Sequence, residues 1–373
     1  QHCSCPDPSD TRFSTCVDIL TSSTRLRCYV RELALTSQRQ ECFRIPGEHV
    51  ELEKLDMSTL VVVINLLPGL DCLHLERCAL RPEARSPDAT LPRQSASFAL
   101  TEPSFNLNEV IFRDLADKAS VEAMADIFSY FQRIGKLTIS GISRWHRDSH
   151  RPLSFSLSPS APIVETLVLD NVDEGEVVTA LCRELRAHAG STAVQHVVVD
   201  RLTLELLDFI CAMPNLESVS YVARGFTPPV VAGRHHAKLR RVTFIVPLWL
   251  RPKSGSYASP VRCLTAHVRT LSVFNASEVA IGFSLSVDDT PEGDENFDAD
   301  TAAECALSQV GPELQAIGEA LETYGSLRAL VLEIRNFTPA QDSFCVTCLG
   351  EAAARHIPRK YVGMLRIEST KRY

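Results

Sequence analysis

The chain has 373 residues, and its 45% hydrophobic and 23% charged content is typical of a globular protein. The formal net charge of −8 argues against a nucleic-acid binder that depends on neutralising phosphates. The most apolar stretch, residues 60–67, is far too short to span a bilayer, so a membrane protein is not expected.

The cysteine content and the N-terminal residues of the sequence indicate the cellular compartment in which the protein is expected. Residues 1–12 are polar and lack the apolar core of a signal peptide, which predicts a disordered leader. The 13 cysteines are odd in number, and several occupy apolar-periodic positions where a buried thiol is expected. We therefore expect a reducing, intracellular location, either cytoplasmic or nuclear.

A leucine pattern at residues 67–80 organises the rest of the chain. Leu70, Leu73, Leu75 and Cys78 stand in the order L-x-x-L-x-L-x-x-C, which is typical of the strand and turn of a leucine-rich repeat. Weaker copies follow to the C-terminus, at spacings from 22 to 59 residues. The third position of each copy falls at Leu33, Leu73, Val110, Leu137, Leu167, Val197, Val219, Val242, Leu271, Leu330 and Leu365.

Helices are predicted between these strands, because apolar residues recur there on one helical face. The helices span residues 13–24, 50–67, 117–131, 174–188, 302–324 and 344–356. Alternating apolar residues predict a further strand over 279–287. Loops are predicted at 81–104, 143–162 and 288–300, the last of them an acidic insertion.

Together the elements predict an α/β fold, a single irregular leucine-rich-repeat solenoid over residues 13–373 with about ten to eleven repeats. Parallel strands would line its concave face, and helices would cover its convex face. A doubly wound α/β domain is the structural alternative, because it also alternates strands with helices.

Three stretches carry a family resemblance: RLRCYVRELAL at residues 25–35, MPNLESVSY at 213–221 and KLRRVTF at 238–244. They resemble repeats of fungal F-box/leucine-rich-repeat-like proteins, and the likeness covers most of the chain. In that family an N-terminal helical F-box docks a ubiquitin-ligase scaffold while the repeats hold a substrate. Only about 12 residues precede the first predicted helix, too few for an F-box, so we expect that domain to be absent or to lie upstream of Gln1.

The expected binding surface consists of residues that alternate with the inward-facing leucines, because successive strand side chains point to opposite faces. Solenoids bind partners on such extended concave surfaces. The predicted partner-binding residues are His74, Glu76, Arg113, Lys136, Asp170, His196, Asp200 and Arg241. We expect a protein partner there, with no nucleic acid and no membrane. The resemblance adds a ubiquitin-ligase scaffold as a second partner if an F-box precedes Gln1.

No motif predicts catalysis, a cofactor or a metal. Cys345-x-x-Cys348 lacks the second pair of ligands that a structural zinc site needs, and its redox state stays open. His146-Arg147-Asp148 lacks the other parts of a kinase catalytic loop. In the acidic insertion, Ala299 stands where a calcium loop needs a bidentate glutamate.

The predicted function is therefore a non-enzymatic protein-interaction scaffold, plausible as a substrate-recognition subunit related to F-box proteins. Two other classes stay open. One is an α/β enzyme of unknown reaction, for which a pocket of clustered titratable groups would be the evidence. The other is an extracellular leucine-rich-repeat recognition protein, in which disulfides would join Cys3, Cys5, Cys16 and Cys28.

Overall fold

The structure, a computed structural model, divides into two compact units, residues 1–194 and 195–373. It describes residues 11–36, 54–81, 105–115, 118–141, 162–170, 172, 176–187, 193–200, 202–222, 239–249, 258–286, 299–335 and 339–370. The predicted leader up to residue 10 and most of the predicted loops at 81–104, 143–162 and 288–300 lie outside these ranges. That one solenoid covers 13–373 stays a prediction.

Strands and helices alternate through both units. The first contains α1 (Thr11–Ser22), α2 (Thr24–Arg27), β1 (Glu32–Thr36), β2 (Lys54–Asp56), α3 (Met57–Leu66), β3 (Cys72–Glu76), β4 (Ala79–Arg81), β5 (Phe105–Arg113), α4 (Lys118–Phe128), β6 (Phe131–Ser140), β7 (Ile163–Asp170) and α5 (Glu176–Ala187). The second contains β8 (His196–Val199), α6 (Leu204–Ala212), β9 (Ser218–Val222), β10 (Arg241–Trp249), α7 (Ala258–Leu271), β11 (Glu278–Ser286), α8 (Ala299–Ala320), β12 (Ala329–Arg335), α9 (Pro339–His356), α10 (Arg359–Val362) and β13 (Leu365–Thr370).

In the first unit, β1, β3, β5, β6 and β7 lie side by side in that order, and each described pair is parallel. Parallel neighbours require a crossover connection, which explains the helices between strands. The pairing aligns the predicted third positions, which stand opposite one another at Leu33, Leu73, Val110, Leu137 and Leu167. The α/β class and the parallel strand arrangement are therefore confirmed within this unit.

In the second unit, β8 to β13 lie in chain order and are likewise parallel. The aligned residues are Val197, Val219, Val242, Val279, Leu330 and Leu365. The prediction of a strand around Leu271 is wrong, because Leu271 ends α7 and a 3-10 turn follows it. Asn275 then adopts a left-handed conformation with φ 50°, and the chain becomes extended only at Glu278.

Several other element bounds differ from the sequence prediction, and two of the differences arise from strand pairing. The helix expected over 50–67 begins only at Met57, since Lys54–Asp56 forms β2 and pairs parallel with β4. Phe131, expected at the end of a helix, is the first residue of β6. In both cases backbone pairing with a neighbouring strand overrides local helical periodicity.

The hydrophobic core lies on the face that carries the aligned third positions. Leu73, Val110 and Val242 are fully buried there, and each such side chain contributes roughly 1.5–3 kcal/mol on burial. Helices pack on this face: the Phe112 ring meets the α4 ring of Phe128 edge-on at 5.7 Å between centroids. We call the opposite face of the strands, which carries the alternate residues, the open face.

A shared hydrogen bond recurs where strands begin. The carbonyl oxygen of Arg31 accepts from the N–H groups of both Asp71 and Cys72, at 2.8 and 3.0 Å. The carbonyl groups of Asp71, Gln195, Glu217 and Ser277 repeat this arrangement with two successive residues of the next strand. Each of these carbonyl oxygens is therefore a shared acceptor that holds two successive N–H groups at the start of the neighbouring strand.

Candidate open-face binding site

The first unit brings its predicted partner-binding residues onto one open face. Across the strands, the register forms three rows: Glu32, Cys72, Glu109, Lys136 and Thr166; Ala34, His74, Ile111, Thr138 and Val168; and Thr36, Glu76, Arg113, Ser140 and Asp170. His74, Glu76, Arg113, Lys136 and Asp170 therefore share a surface, as the alternation of strand side chains predicts.

Carboxylates flank the imidazole on this face. His74 Nδ1 lies 3.5 Å from Glu32 Oε1, and its Nε2 lies 3.9 Å from Glu109 Oε2. The second distance exceeds hydrogen-bond reach, so the buried Nε2 has no hydrogen-bond partner among the described residues. Lys136 Nζ lies 2.8 Å from Glu109 Oε1. The Glu32 side chain, 60% exposed, is thus the most accessible charge of this group.

Cys72 lies in the same row as Glu32 and Glu109. Burial raises the pKa of its thiol, and the carboxylates of Glu109, Glu32 and Asp71 raise that pKa further. A nucleophilic cysteine needs the opposite, a lowered pKa that populates the thiolate. This environment therefore does not activate Cys72 as a nucleophile.

A repeated turn follows the third row of the first unit. Arg77, Asp114 and Gly141 each take a left-handed φ, of 55°, 51° and 66°. Their N–H groups donate to the carbonyl oxygens of Arg113, Ser140 and Asp170 at 2.9, 2.9 and 3.0 Å. The turn places the Arg77 guanidinium 3.9 Å from Glu76 and 3.7 Å from Asp114. These contacts orient the charged rim beside Glu76 and Arg113.

The second unit carries the other predicted residues on its own open face. His196 Nδ1 lies 2.8 Å from Ser218 Oγ on the neighbouring strand. Asp200, just past β8, is only 6% exposed, so little of it is available to a partner. Arg241 stands in register with Ser218 and Glu278.

Arg241 belongs to an arginine cluster on this face, which we define as Arg241, Arg335, Arg366, Glu278 and Glu333. One guanidinium nitrogen of Arg241 lies 2.9 Å from Glu278, and another donates to Glu333 Oε1. Arg335 Nε donates to Glu333 Oε2 at 2.8 Å, and Arg366 donates to Glu278 Oε2 at 3.2 Å. Glu333, whose side chain is 1% exposed, therefore has each carboxylate oxygen bound by a different arginine.

Small residues on β11 let the cluster lie across the strands. Ala280 and Gly282 occupy the open-face positions between β10 and β12. A Cβ atom added at Gly282 would lie 2.6 Å from Arg335 Nε, so a larger residue would displace that guanidinium. The absence of a side chain at Gly282 is what accommodates Arg335 close to the backbone.

Of this cluster, sequence reasoning selected only Arg241 as partner-binding, and it did not select Glu278, Glu333, Arg335 or Arg366. Glu278 was missed because the repeat was placed at Leu271, while the strand predicted over 279–287 begins one residue after Glu278 and was not counted as a repeat. The alternation of Val279, Ile281 and Phe283 was the signal for the repeat strand that aligns with Val242 and Leu330. Glu333 stands between Leu332 and Ile334, so the same alternation puts it on the open face.

Other residues singled out from the sequence lie elsewhere or outside the described ranges. Cys345 is buried on α9 and Cys348 is half-buried there. Cys28 is a free thiol, whereas Cys3, Cys5 and the side chain of Cys16 are not described. The His146–Asp148 triplet and the acidic run up to residue 298 also lie outside.

The described residues offer neither a metal-binding cluster nor a membrane-spanning helix. No group of three or more His, Cys, Asp or Glu side chains there is placed to hold a metal ion. None of the helices described is long and apolar enough to cross a membrane.

No protein-family model matches the sequence, and no curated protein is significantly similar to it.

Proposed function

We propose that the chain is a non-enzymatic, intracellular protein-interaction scaffold that binds a protein partner on the open faces of its strands. The observation that carries this proposal is the register, which sets polar side chains of both charges in rows across neighbouring parallel strands. Rows of this kind present many contacts in a fixed geometry, which lowers the entropy lost on binding.

Within this proposal the fold is an irregular leucine-rich-repeat solenoid whose open faces form the concave side. Three features support that assignment: parallel pairing, aligned third positions and the recurring shared carbonyl acceptor at strand starts. Cys78, the last residue of the strongest repeat pattern, adds a fourth. Its Sγ lies 3.4 Å from the carbonyl oxygen of Leu35, so the thiol links the turn of one repeat to the preceding strand.

The non-enzymatic part of the proposal rests on the open-face chemistry. Cys72 has carboxylates that raise its thiol pKa, and Glu333 has both oxygens occupied by arginine. A general base or nucleophile needs an accessible group poised for proton transfer or attack. Neither Cys72 nor Glu333 meets that requirement.

A relation to F-box substrate-recognition subunits is part of the proposal, supported by the three resembling stretches at residues 25–35, 213–221 and 238–244. In that role the open faces would hold a substrate for ubiquitylation. The test is copurification of the tagged full-length gene product with a ubiquitin-ligase scaffold, using an unrelated protein with the same tag as the control bait. Failure to recover the scaffold, or equal recovery with the control bait, would count against the relation.

Site-specific photocrosslinking in cells tests the binding surface itself. A photoreactive residue would replace Val168 or Ser220, which lie on the open faces. Matched controls would carry it at Ile19 or Leu204, which are exposed on helices. We expect the same discrete protein adduct from the open-face positions and none from the helical ones. Adducts from all four positions alike, or only from the helices, would overturn the proposal.

A further inference from the structure

We propose that the arginine cluster of the second unit binds an acidic peptide segment of the protein partner. This inference deepens the proposed function, since it assigns a chemistry to one part of the open face. Three features of the cluster support the inference: the exposure of its charged groups, the guanidinium donors that remain unused, and the fixed positions of its arginine side chains.

The reachable groups of the cluster are mainly cationic. The Arg366 side chain is 55% exposed and that of Arg241 is 37% exposed, whereas Glu278 is 25% and Glu333 only 1% exposed. The carboxylates of Glu278 and Glu333 thus lie beneath the guanidinium groups, and Arg366 remains more exposed than the neighbouring Glu368, at 43%. An approaching chain meets positive charge first, which complements Asp and Glu side chains.

Some guanidinium N–H donors of the cluster also remain available for hydrogen bonds to a partner. Its three guanidinium groups share the carboxylates of Glu278 and Glu333, and a third carboxylate, that of Glu368, lies 4.0 Å from Arg366. Arg335 uses Nε and Nη2 on Glu333, and its Nη1 makes no hydrogen bond to any described residue. Guanidinium groups bind carboxylates through two parallel N–H donors, so Arg335 and Arg366 each retain donors for an incoming acid.

Glu333 acts as a positioning residue for these donors. It binds Arg241 from one side and Arg335 from the other while fully buried. A partner therefore does not have to immobilise two long, flexible side chains, which would otherwise cost binding free energy. Glu368, 4.0 Å from Arg366, lies at the exposed rim and pairs with it only weakly.

The net charge of −8 for the whole chain does not exclude an acidic ligand. At physiological salt, charges more than about 8 Å apart are largely screened, so the local cluster governs the contact. Among the described ion pairs of the first unit's open face, Lys136 is paired with Glu109 and the Glu32 carboxylate is 60% exposed, so a partner meets negative charge beside the lysine.

The test uses fluorescence anisotropy with the full chain and a labelled peptide of repeated Glu-Asp-Ser units. We expect binding that weakens as salt rises, and no binding of the matching Lys-Arg-Ser peptide. Arg366→Gln should weaken binding by about tenfold, since one hydrogen-bonded charge pair is lost. Arg359→Gln, on the exposed helix α10, is the matched control and should leave affinity unchanged.

A second variant reverses the sign of the effect. Glu278→Gln removes a carboxylate that competes for Arg241 and Arg366, so acidic-peptide binding should tighten severalfold. A cluster with only a structural role would not yield this gain. The fold of each variant is checked by its melting temperature, and Arg366 is exposed enough that its loss should leave the fold intact.

The outcomes separate this inference from the proposed function. Equal binding of both peptides, no loss in Arg366→Gln, or preferential binding of a single-stranded RNA probe would overturn the acidic-peptide assignment. Crosslinking from Val168 and Ser220 would survive that result if the scaffold function holds. Loss of the crosslinks, with acidic-peptide binding intact, would instead contradict the scaffold function.

Discussion

The two units bury different kinds of polar group. Among the described residues, the buried polar side chains of the first unit are the hydroxyls of Ser120, Thr138 and Ser140. Those of the second unit include three ionisable groups and one hydroxyl: Asp200, His267, Glu333 and Thr243. A buried hydroxyl needs one partner, whereas a buried charge needs full pairing to offset its desolvation. The second unit is therefore the more demanding one to assemble.

This difference in buried polar groups follows from the size of the open-face side chains on neighbouring strands. In the second unit, Gly282 and Ala280 leave room for Arg335 and Arg241 to reach Glu333. In the first, Ile111 and Thr138 occupy the corresponding middle row, and the ion pairs of Glu109 remain partly exposed. The size of the neighbouring side chains thus determines whether an ion pair on the open face is buried or remains exposed to solvent.

Removing the buried carboxylate is the strongest way to test this difference. Glu333→Gln leaves the guanidinium groups of Arg241 and Arg335 without their charged partner, so we expect a loss of about 3–5 kcal/mol of unfolding free energy. The matched change in the first unit, Glu109→Gln, affects partly exposed pairs and should cost about 0–1 kcal/mol. Urea denaturation measures both. Equal losses would mean that burial does not distinguish the two faces.

Glycine substitutions probe how each unit tolerates added volume. Gly141→Ala places a Cβ atom 1.9 Å from Asp114 Oδ1 at a left-handed φ, and Gly318→Ala places one 2.4 Å from Pro358 Cδ. We expect each to cost about 1–3 kcal/mol, the first through backbone strain and the second through overpacking. Gly363→Ala is the control, because nothing lies within 4 Å of its added Cβ. Thermal melts should show two large shifts and one negligible shift.

Two buried tyrosines in the core of the second unit, Tyr221 and Tyr324, allow a finer comparison of buried polar groups. Tyr221 stacks on His267 with 4.4 Å between ring centroids, and its hydroxyl lies 2.7 Å from His267 Nε2. Tyr221→Phe breaks this buried hydrogen bond and should cost about 1–3 kcal/mol. The hydroxyl of Tyr324 is buried without a hydrogen-bond partner among the described residues, so Tyr324→Phe should be neutral or stabilising. Denaturation midpoints of the two variants moving together would contradict this account.

The smallest expected effect concerns the alkylation rate of the Cys72 thiol on the open face of the first unit. The raised pKa of Cys72 keeps its thiol protonated, so iodoacetamide should alkylate it more slowly at pH 8 than an unperturbed thiol. Glu109→Gln removes the largest electrostatic cause of that shift and should speed the reaction. Mass spectrometry of the labelled peptide follows the rate. Unchanged labelling in Glu109→Gln would show that the carboxylate does not act on the thiol.

The aligned third positions were predictable because burial imposes the same apolar type at the same place in each strand. Leu271 misled the prediction because its spacing from Val268 and Phe274 equals a helical turn, so helix and strand patterns overlapped there. The pairing of β2 with β4 was not visible locally. Nor was the contact between β4 and α4, where the Ser120 hydroxyl, 40 residues away from Leu80, accepts the Leu80 N–H at 2.9 Å.

Most residues of the open face could also be placed from alternation, but their contacts could not. That Arg241 reaches Glu333, 92 positions along the chain, follows from the strand order and from the small residues between them. Side-chain alternation assigns a face to each residue, whereas pairing depends on which strands become neighbours. The charges were thus foreseeable and their burial was not.

The shared carbonyl acceptor at several strand starts has a consequence for how the molecule tolerates insertions. Because a single carbonyl group, such as that of Arg31 or Glu217, binds two successive amides at the start of the next strand, those strands are anchored at their beginning regardless of the chain that precedes them. Connecting segments can then be lengthened, as they are between Val279 and Leu330, without shifting the pairing. Reporter tags or new recognition loops grafted upstream of these anchors should leave the parallel register undisturbed.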